Sequence, residues 1–141
     1  MERRVGTYVL SDDKGLLQKD AVCALVQGSY WGNTRSREAI EKSLETSLCY
    51  GAYENGVQCA FSRVVTDFAV MFWLCDVLVA EEHRGRGRGK ALVEMVLDTP
   101  VLAGLTGVLA TRDAHGLYAR YGFLRDTEGR FMRRRPPEFS R

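Results

Sequence analysis

The sequence lacks most features that would place it outside the ordinary enzymes and binding domains. No apolar stretch is long enough to cross a bilayer, so no membrane partner is expected. MERRVGTYVL at the N-terminus is not followed by an apolar core and a small-residue cleavage site, so no signal peptide is read and a cytoplasmic location is expected. Cysteine is sparse: Cys23, Cys49, Cys59 and Cys75 stand singly among apolar neighbours, without a C-x-x-C pair. That spacing argues against zinc or dithiol chemistry, and it predicts buried free thiols and no metal. Charge of one sign is also missing, since 20 Lys and Arg against 18 Asp and Glu leave only +2. So weak a global field gives no ground for a nucleic-acid partner. With three prolines, no internal repeat and no low-complexity linker, the simplest organisation is a single domain over residues 1–141. A chain of this length buries roughly 68–70% of its unfolded surface and needs no covalent staple.

What is present is a regular alternation of element signals. Tyr8 to Leu10 reads as a short strand, and Leu17, Ala21, Ala24 and Leu25 then fall at helical spacing. Ser36 is an N-cap candidate with Glu38 in the first turn, followed by Ile40, Leu44 and Leu48 on one helical face. Tyr50–Tyr53 and Val57–Val65 flank Asn55-Gly56, the strongest short hairpin signal. Phe68 to Ala80 is an apolar run broken only by Asp76, which predicts a central strand covered on both faces. A helix is expected from Gly87 to about Asp98, a strand over Leu105–Ala110, a short helix carrying Leu117 and Tyr118 with Gly122 as its stop, and a last strand at Phe131-Met132. This β-α-α-β-β-β-α-β-α-β order indicates an α/β (α+β) domain with a mixed, mostly antiparallel sheet flanked by helices.

Positive charge concentrates at 84–90 and 130–135. Between His83 and Lys90, three glycines alternate with Arg84, Arg86, Arg88 and Lys90. The spacing is not that of a P-loop, because Arg84 stands five positions before Gly89 and Ala91 follows Lys90. It is not the dinucleotide fingerprint either, since the glycines fall at 85, 87 and 89. A strand, a short glycine loop and a helix start nevertheless make an anion site from unpaired backbone N–H groups, and a pyrophosphate suits it. The Arg133-Arg134-Arg135-Pro136-Pro137 run reads as a solvated edge strand and tail, with attraction of an acidic partner as the alternative.

Arg84-x-x-Gly87-x-Gly89 after a valine-ended strand resembles the Gln/Arg-x-x-Gly-x-Gly/Ala acyl-CoA motif of the GNAT N-acetyltransferase superfamily. Ala114-x-x-Leu117-Tyr118-x-x-x-Gly122-Phe123 resembles that superfamily's later signature, in the right order and spacing. The likeness covers most of the chain, the first thirty residues only in outline. It implies a GNAT-like acyltransferase fold and direct transfer of acetyl from acetyl-CoA to a primary amine of a small molecule or peptide. It implies no metal and no nucleic acid, and leaves a homodimer open. CoA contacts are implied for Arg84, Gly85, Arg86, Gly87, Arg88, Gly89 and Lys90, and for the backbone of Val77, Leu78 and Val79, where the strand is expected to splay from its neighbour. Many members carry Asn seven positions before the tyrosine; here that position is Thr111, with Asp113 close by, and both are candidates for the pantetheine arm.

Acetyl transfer needs a free amine, a donor to the developing oxyanion and a proton for the leaving thiolate. Tyr118 matches the family's proton donor, and a phenol with a pKa near ~10 is protonated at neutral pH, while an alkyl thiol titrates near ~8.5. The alternative for Tyr118 is a packing aromatic. Asp76 is costly inside an apolar strand unless paired or exposed to a cleft. It is a candidate general base, directly or through water, or a holder of a cationic amine; the alternative is a structural carboxylate paired with an arginine. Burial is expected to raise its pKa. Tyr30 and Trp31 are candidates to line an acceptor pocket, or a lid on the core. His115 and His83 read as surface, capping or packing residues, and Cys75 lacks a paired base. The rival readings are an arginine-patch nucleic-acid module and an acyl-CoA sensor of the same fold.

Overall fold

Alternating apolar residues and two tight turns build the centre of a six-stranded sheet in which the strands lie in sequence order. The computed structural model describes residues 1–137. It divides into two compact units, Met1–Ala110 and the segment from Thr111 onward. In the first unit β1 (Glu2–Val5), β2 (Tyr8–Ser11), β3 (Leu48–Glu54), β4 (Val57–Thr66) and β5 (Met71–Val79) pair antiparallel, and β6 (Thr106–Val108) joins β5 in parallel. Helices α1 (Lys19–Gln27) and α2 (Arg37–Glu45) separate β2 from β3, and α3 (Arg88–Leu97) carries the crossover from β5 to β6. The mixed, mostly antiparallel sheet expected from the sequence is present.

Local chemistry explains most boundaries. Ser36 caps α2, its Oγ accepting from the Ala39 N–H at 3.1 Å. Asn55 and Gly56 both have positive φ at the β3–β4 turn, as that hairpin geometry requires. At the next turn, Asp67 Oδ1 accepts backbone N–H bonds from Ala69, Val70 and Met71. These bonds hold the Asp67 carboxyl below its usual pKa. They also fix Phe68 and Val70 in an exposed turn, so β5 begins at Met71 rather than Phe68.

Five further expectations change. Leu48 does not extend the face of α2: it opens β3, opposite Val64. The strand β1 was not expected; it folds back on β2 through Gly6, whose φ is +62°. On β5 the residues Phe72, Leu74, Asp76 and Leu78 are buried, but those between are only half-buried, so the strand is not fully covered on both faces. Phe131 and Met132 form no strand among the described residues; both are exposed, and the Phe131 N–H is taken by Asp126 Oδ2 in a local turn. Arg133 to Pro137 likewise carries no strand, and residues 138–141 of the tail lie outside the described residues.

One core cluster joins the helices to the sheet. Val22, Cys23 and Val26 of α1 and Ile40 and Leu44 of α2 pack with Cys49, Phe61 and Leu78. Leu92, Val93, Met95 and Val96 of α3 are buried as well, with α3 packing on β3, β4 and β5. Phe61 is fully buried at the centre of the first cluster. Phe61→Ala is expected to lower the unfolding free energy by about 3–5 kcal/mol, measured by urea denaturation.

Candidate functional site

The later half of β5 has an open edge. Pairing with β6 covers only Met71, Phe72 and Trp73, and no strand of the first unit continues it toward Val79. On the other edge the Ala80 N–H donates to the Cys59 carbonyl, and Leu78 stands opposite Phe61. Because backbone groups in an antiparallel ladder alternate sides, Leu78 directs its N–H and C=O toward β4, whereas Val77 and Val79 direct theirs to the open edge. β5 is therefore unpaired on this edge beyond Trp73 within the first unit, because β6 ends at Val108. Of the three backbone candidates, however, Leu78 has its polar groups in the ladder and its side chain in the core. Cys75 is the extra residue of a bulge, between Asp76 opposite Arg63 and Leu74 opposite Val64.

β5 leads into the glycine loop. Gly85 and Gly87 both have φ +77°, a left-handed conformation that a side chain disfavours. Gly87 is the N-cap of α3 and supplies no side-chain cap. The first intrahelical bond runs from the Ala91 N–H to the Gly87 carbonyl, which leaves the N–H groups of Arg88, Gly89 and Lys90 without helical partners. Gly89 lies near β5: a Cβ there would come within 3.6 Å of Val79 Cγ2 and 3.9 Å of Val77 Cγ1.

The four basic residues are not equivalent. Arg84 folds back, its Nε donating to the Val79 carbonyl at 3.1 Å. Arg88 stacks over the Tyr8 ring at 3.3 Å, with its Nε buried and lacking a hydrogen-bond partner. Arg86 reaches the Tyr8 hydroxyl at 3.5 Å, and Lys90 stands 4.0 Å from Glu94 one turn along α3. Tyr8, 1% exposed, also bonds His83 Nδ1 at 2.6 Å, and His83 stands 3.4 Å from Glu54. Tyr8 is thus the anchor of the loop. Sequence reasoning missed it, because a tyrosine in a short N-terminal strand carries no sign of a partner seventy-five positions away.

Asp76 gathers the second cluster. Register sets Arg63 opposite it, and Arg63 Nε donates to Oδ2 at 2.9 Å. From the loop between α1 and α2, the Trp31 indole N–H donates to Oδ1 at 2.7 Å, and Arg35 Nη1 lies 3.2 and 3.3 Å from the two oxygens. The loop is set by Ser29, whose hydroxyl donates to the Val26 carbonyl and accepts the Gly32 N–H. Gly32 is required there, since a Cβ would strike the Val26 carbonyl and side chain. Tyr30 and Trp31 pack edge-to-face at 4.9 Å and remain 48% and 38% exposed.

The expected rise in the Asp76 pKa is not what this arrangement produces. Burial, the largest influence, pushes the carboxyl up; Arg35 and Arg63, with the Trp31 and Arg63 hydrogen bonds, together outweigh it and hold the carboxyl below the ordinary range. Both oxygens carry donors, the pairing alternative weighed for this residue. Cys75 beside it is half-buried, and burial raises its thiol pKa, so it is not an activated nucleophile.

In the second unit, α4 (His115–Ala119) carries a half-buried Tyr118, whose ring meets Phe123 edge-to-face at 6.0 Å. Thr111 Oγ1 accepts the Ala114 N–H at 3.0 Å, a local turn bond, while Asp113 is exposed. Gly122, with φ +87°, ends the helix as expected. Among the described residues, no group of three His, Cys, Asp or Glu is placed to hold a metal ion, and no helix is long and apolar enough to cross a membrane.

A family model described as an acetyltransferase (GNAT) domain matches residues 45–125. A candidate acetyltransferase of Gibberella zeae is 29% identical over 111 residues, covering 64% of this chain and 63% of that protein, so the match spans less than two thirds of that relative. Among solved structures, a candidate GNAT-family acetyltransferase from Xanthomonas campestris pv. campestris is 38% identical with a TM-score of 0.87, covering 94% of this chain and 95% of that one. The ribosomal-protein-S18-alanine N-acetyltransferase of Escherichia coli shares the fold at 20% identity and a TM-score of 0.67, over 82% of this chain and 76% of that one.

The Asp76 cluster yields a pH-dependent prediction. Its carboxyl binds a proton less readily folded than unfolded, so its stabilisation is fully present above the unfolded pKa of about 3.9 and is lost as pH falls through the lower folded value. At pH 7, Asp76→Asn is expected to cost about 3 kcal/mol by stranding the Arg63 guanidinium, whose side chain is only 13% exposed. In urea unfolding, the gap between the two proteins should shrink progressively below about pH 4.

Proposed function

Because the chain belongs to the GNAT acetyltransferase family, we propose that it transfers an acetyl group from acetyl-CoA to a primary amine of a small molecule or peptide, by direct attack in a ternary complex. The observation that carries this reading is the start of α3, where three N–H groups without helical partners follow a left-handed glycine among exposed arginines. Such a terminus favours a pyrophosphate through its orphan donors and partial positive charge. Gly85, Gly87 and Gly89 let the backbone approach closely, and Arg84, Arg86 and Lys90, all exposed, supply charge-assisted donors. Thr111 and Asp113 are assigned to the pantetheine arm. The family match runs across the division at residue 110, and we take both units as one N-acetyltransferase domain.

The residues divide the chemistry as follows. Val77 offers its backbone N–H and carbonyl, and Val79 its N–H, at the open edge of β5, suited to the pantetheine and to a polarised thioester carbonyl, while the Val79 carbonyl accepts from Arg84. The amine nitrogen forms its bond to the carbonyl carbon, the carbon–sulfur bond breaks, and the Tyr118 hydroxyl protonates the departing thiolate. The proton of the amine leaves to water rather than to Asp76, whose oxygens carry four hydrogen bonds and whose carboxyl is held in the ionised, weakly basic state. Asp76 then serves by holding Trp31 and Arg35 in place.

Isothermal titration should show acetyl-CoA binding, and Arg84→Ala should weaken it by about tenfold, the equivalent of about 1.4 kcal/mol and of one charge-assisted bond. The reading is wrong if the protein binds neither CoA nor acetyl-CoA at millimolar ligand. Tyr118→Phe should lower turnover by at least about tenfold while leaving CoA affinity near the wild-type value, because the lost hydroxyl acts on the leaving group rather than on binding. Binding without turnover on any amine would instead identify an acyl-CoA sensor.

A further inference from the structure

We propose that Arg35 recognises an anionic group on the acceptor, and that the acceptor is therefore a small amine that also carries a carboxylate, as an amino acid does. This rests on the acetyl-transfer reading above and names the substrate class of the same site.

The balance of charge is the first argument. Arg35 and Arg63 bring two positive charges to the single negative charge of Asp76, leaving one cation in excess at the base of the loop between α1 and α2. The neighbouring Cys75 feels Arg63, Asp76 and Arg35 together. An acceptor whose only charge is an ammonium enters such a place against repulsion. One that brings a carboxylate completes the neutralisation.

The unused donors are the second. Arg63 is 13% exposed and is committed to Asp76 through Nε and to Ser47 Oγ through Nη1. Arg35 is different: only Nη1 is engaged, its Nη2 and Nε have no hydrogen-bond partner among the described residues, and its side chain is 34% exposed. A guanidinium offers parallel N–H donors that match the two oxygens of a carboxylate. Asp76 fixes one end of that fork and leaves the other end unengaged on a side chain one-third exposed. Arg35 is thus the residue that sets specificity, and Asp76 is a positioning residue that acts through it.

The surroundings are the third. Trp31 is tied by its indole N–H to the same carboxylate, and the edge-to-face Tyr30 and Trp31 pair presents partly exposed aromatic surface next to Arg35 in the same loop. An anion-binding fork beside aromatic rings suits a carboxylate on a short apolar body better than a polyamine or a sugar amine.

The experiment compares each free amino acid with its own carboxamide as acceptor, at saturating acetyl-CoA, using wild-type protein, Arg35→Gln and Arg35→Lys. Wild-type kcat/KM should favour the carboxylate form by at least about tenfold, mainly through KM. The comparison is conservative, because the carboxamide has the less basic amine and thus more of the reactive free form. Arg35→Gln should abolish the preference while its affinity for CoA stays unchanged, and Arg35→Lys should keep part of it. Carboxamides acetylated as well as the acids by wild-type protein, or a preference that survives in Arg35→Gln, overturn the proposal. Should no amine be acetylated by CoA-competent protein, the transfer reading fails on its own. The fork is then judged by titrating the CoA-loaded protein with the same acids and amides and following tryptophan fluorescence. Saturable binding of acids alone, lost in Arg35→Gln, supports it, and no binding of any acid refutes it.

Discussion

A carboxylate only 1% exposed within an apolar strand is tolerable only if its charge is met on every side, and at Asp76 that requirement ties distant parts of the first unit together. β4 contributes Arg63 through strand register alone, whereas the loop after α1 must be bent so that Trp31 and Arg35 reach the same two oxygens. The bend depends on Ser29 and Gly32, and the position of α1 depends in turn on the cluster around Phe61 and Leu78. Helix packing, loop geometry and strand register thus share one electrostatic condition.

The same strand imposes a second constraint a few residues later. β5 is held by β4 along most of its length but by β6 only at its beginning, so the edge at Val77 and Val79 stays open. The glycine loop carries the chain from Val79 at the end of β5 to Arg88 at the start of α3. Its first turn is held by Arg88 against Tyr8 and by the close approach of Gly89 to Val77 and Val79. For the acetyl-CoA proposed above, a helix start that moved relative to the open edge could not hold both ends of the ligand. The aromatic and hydrogen-bonded contacts of Tyr8 restrain that motion without placing a side chain in the loop itself.

Local signals were legible and distant ones were not. Ser36, Asn55-Gly56 and the alternating glycines at 85, 87 and 89 act on their own neighbourhood, so cap, hairpin and loop could be read directly from residue type. The strand β1 was missed because its residues ERRV are mostly exposed and polar, leaving no alternation to detect; its hairpin with β2 supplies what the pattern does not. Phe131-Met132 failed in the opposite way: two apolar residues suggested a strand, but Asp126 takes the backbone donor in a turn. Asp76 was recognisable as anomalous, yet the direction of its pKa was not. That direction is decided by Arg35 and Arg63, residues 41 and 13 positions away, against a burial effect that alone points upward.

The cluster also weighs what its cost is for. Replacing a buried ion pair by well-packed apolar side chains is often neutral or stabilising, so stability alone gives little reason for two arginines and an aspartate at this point of the fold. Stability gives even less reason to leave the Arg35 guanidinium one-third exposed, with only Nη1 on a carboxylate that Arg63 and Trp31 also meet. The arrangement makes physical sense if Asp76 is held ionised so that Arg35 is held oriented. The carboxylate's low proton affinity then counts against a role in accepting protons and in favour of a role in fixing a cation. A base needs a lone pair free at the moment of reaction, whereas a positioning residue needs its lone pairs occupied throughout, and at Asp76 they are occupied.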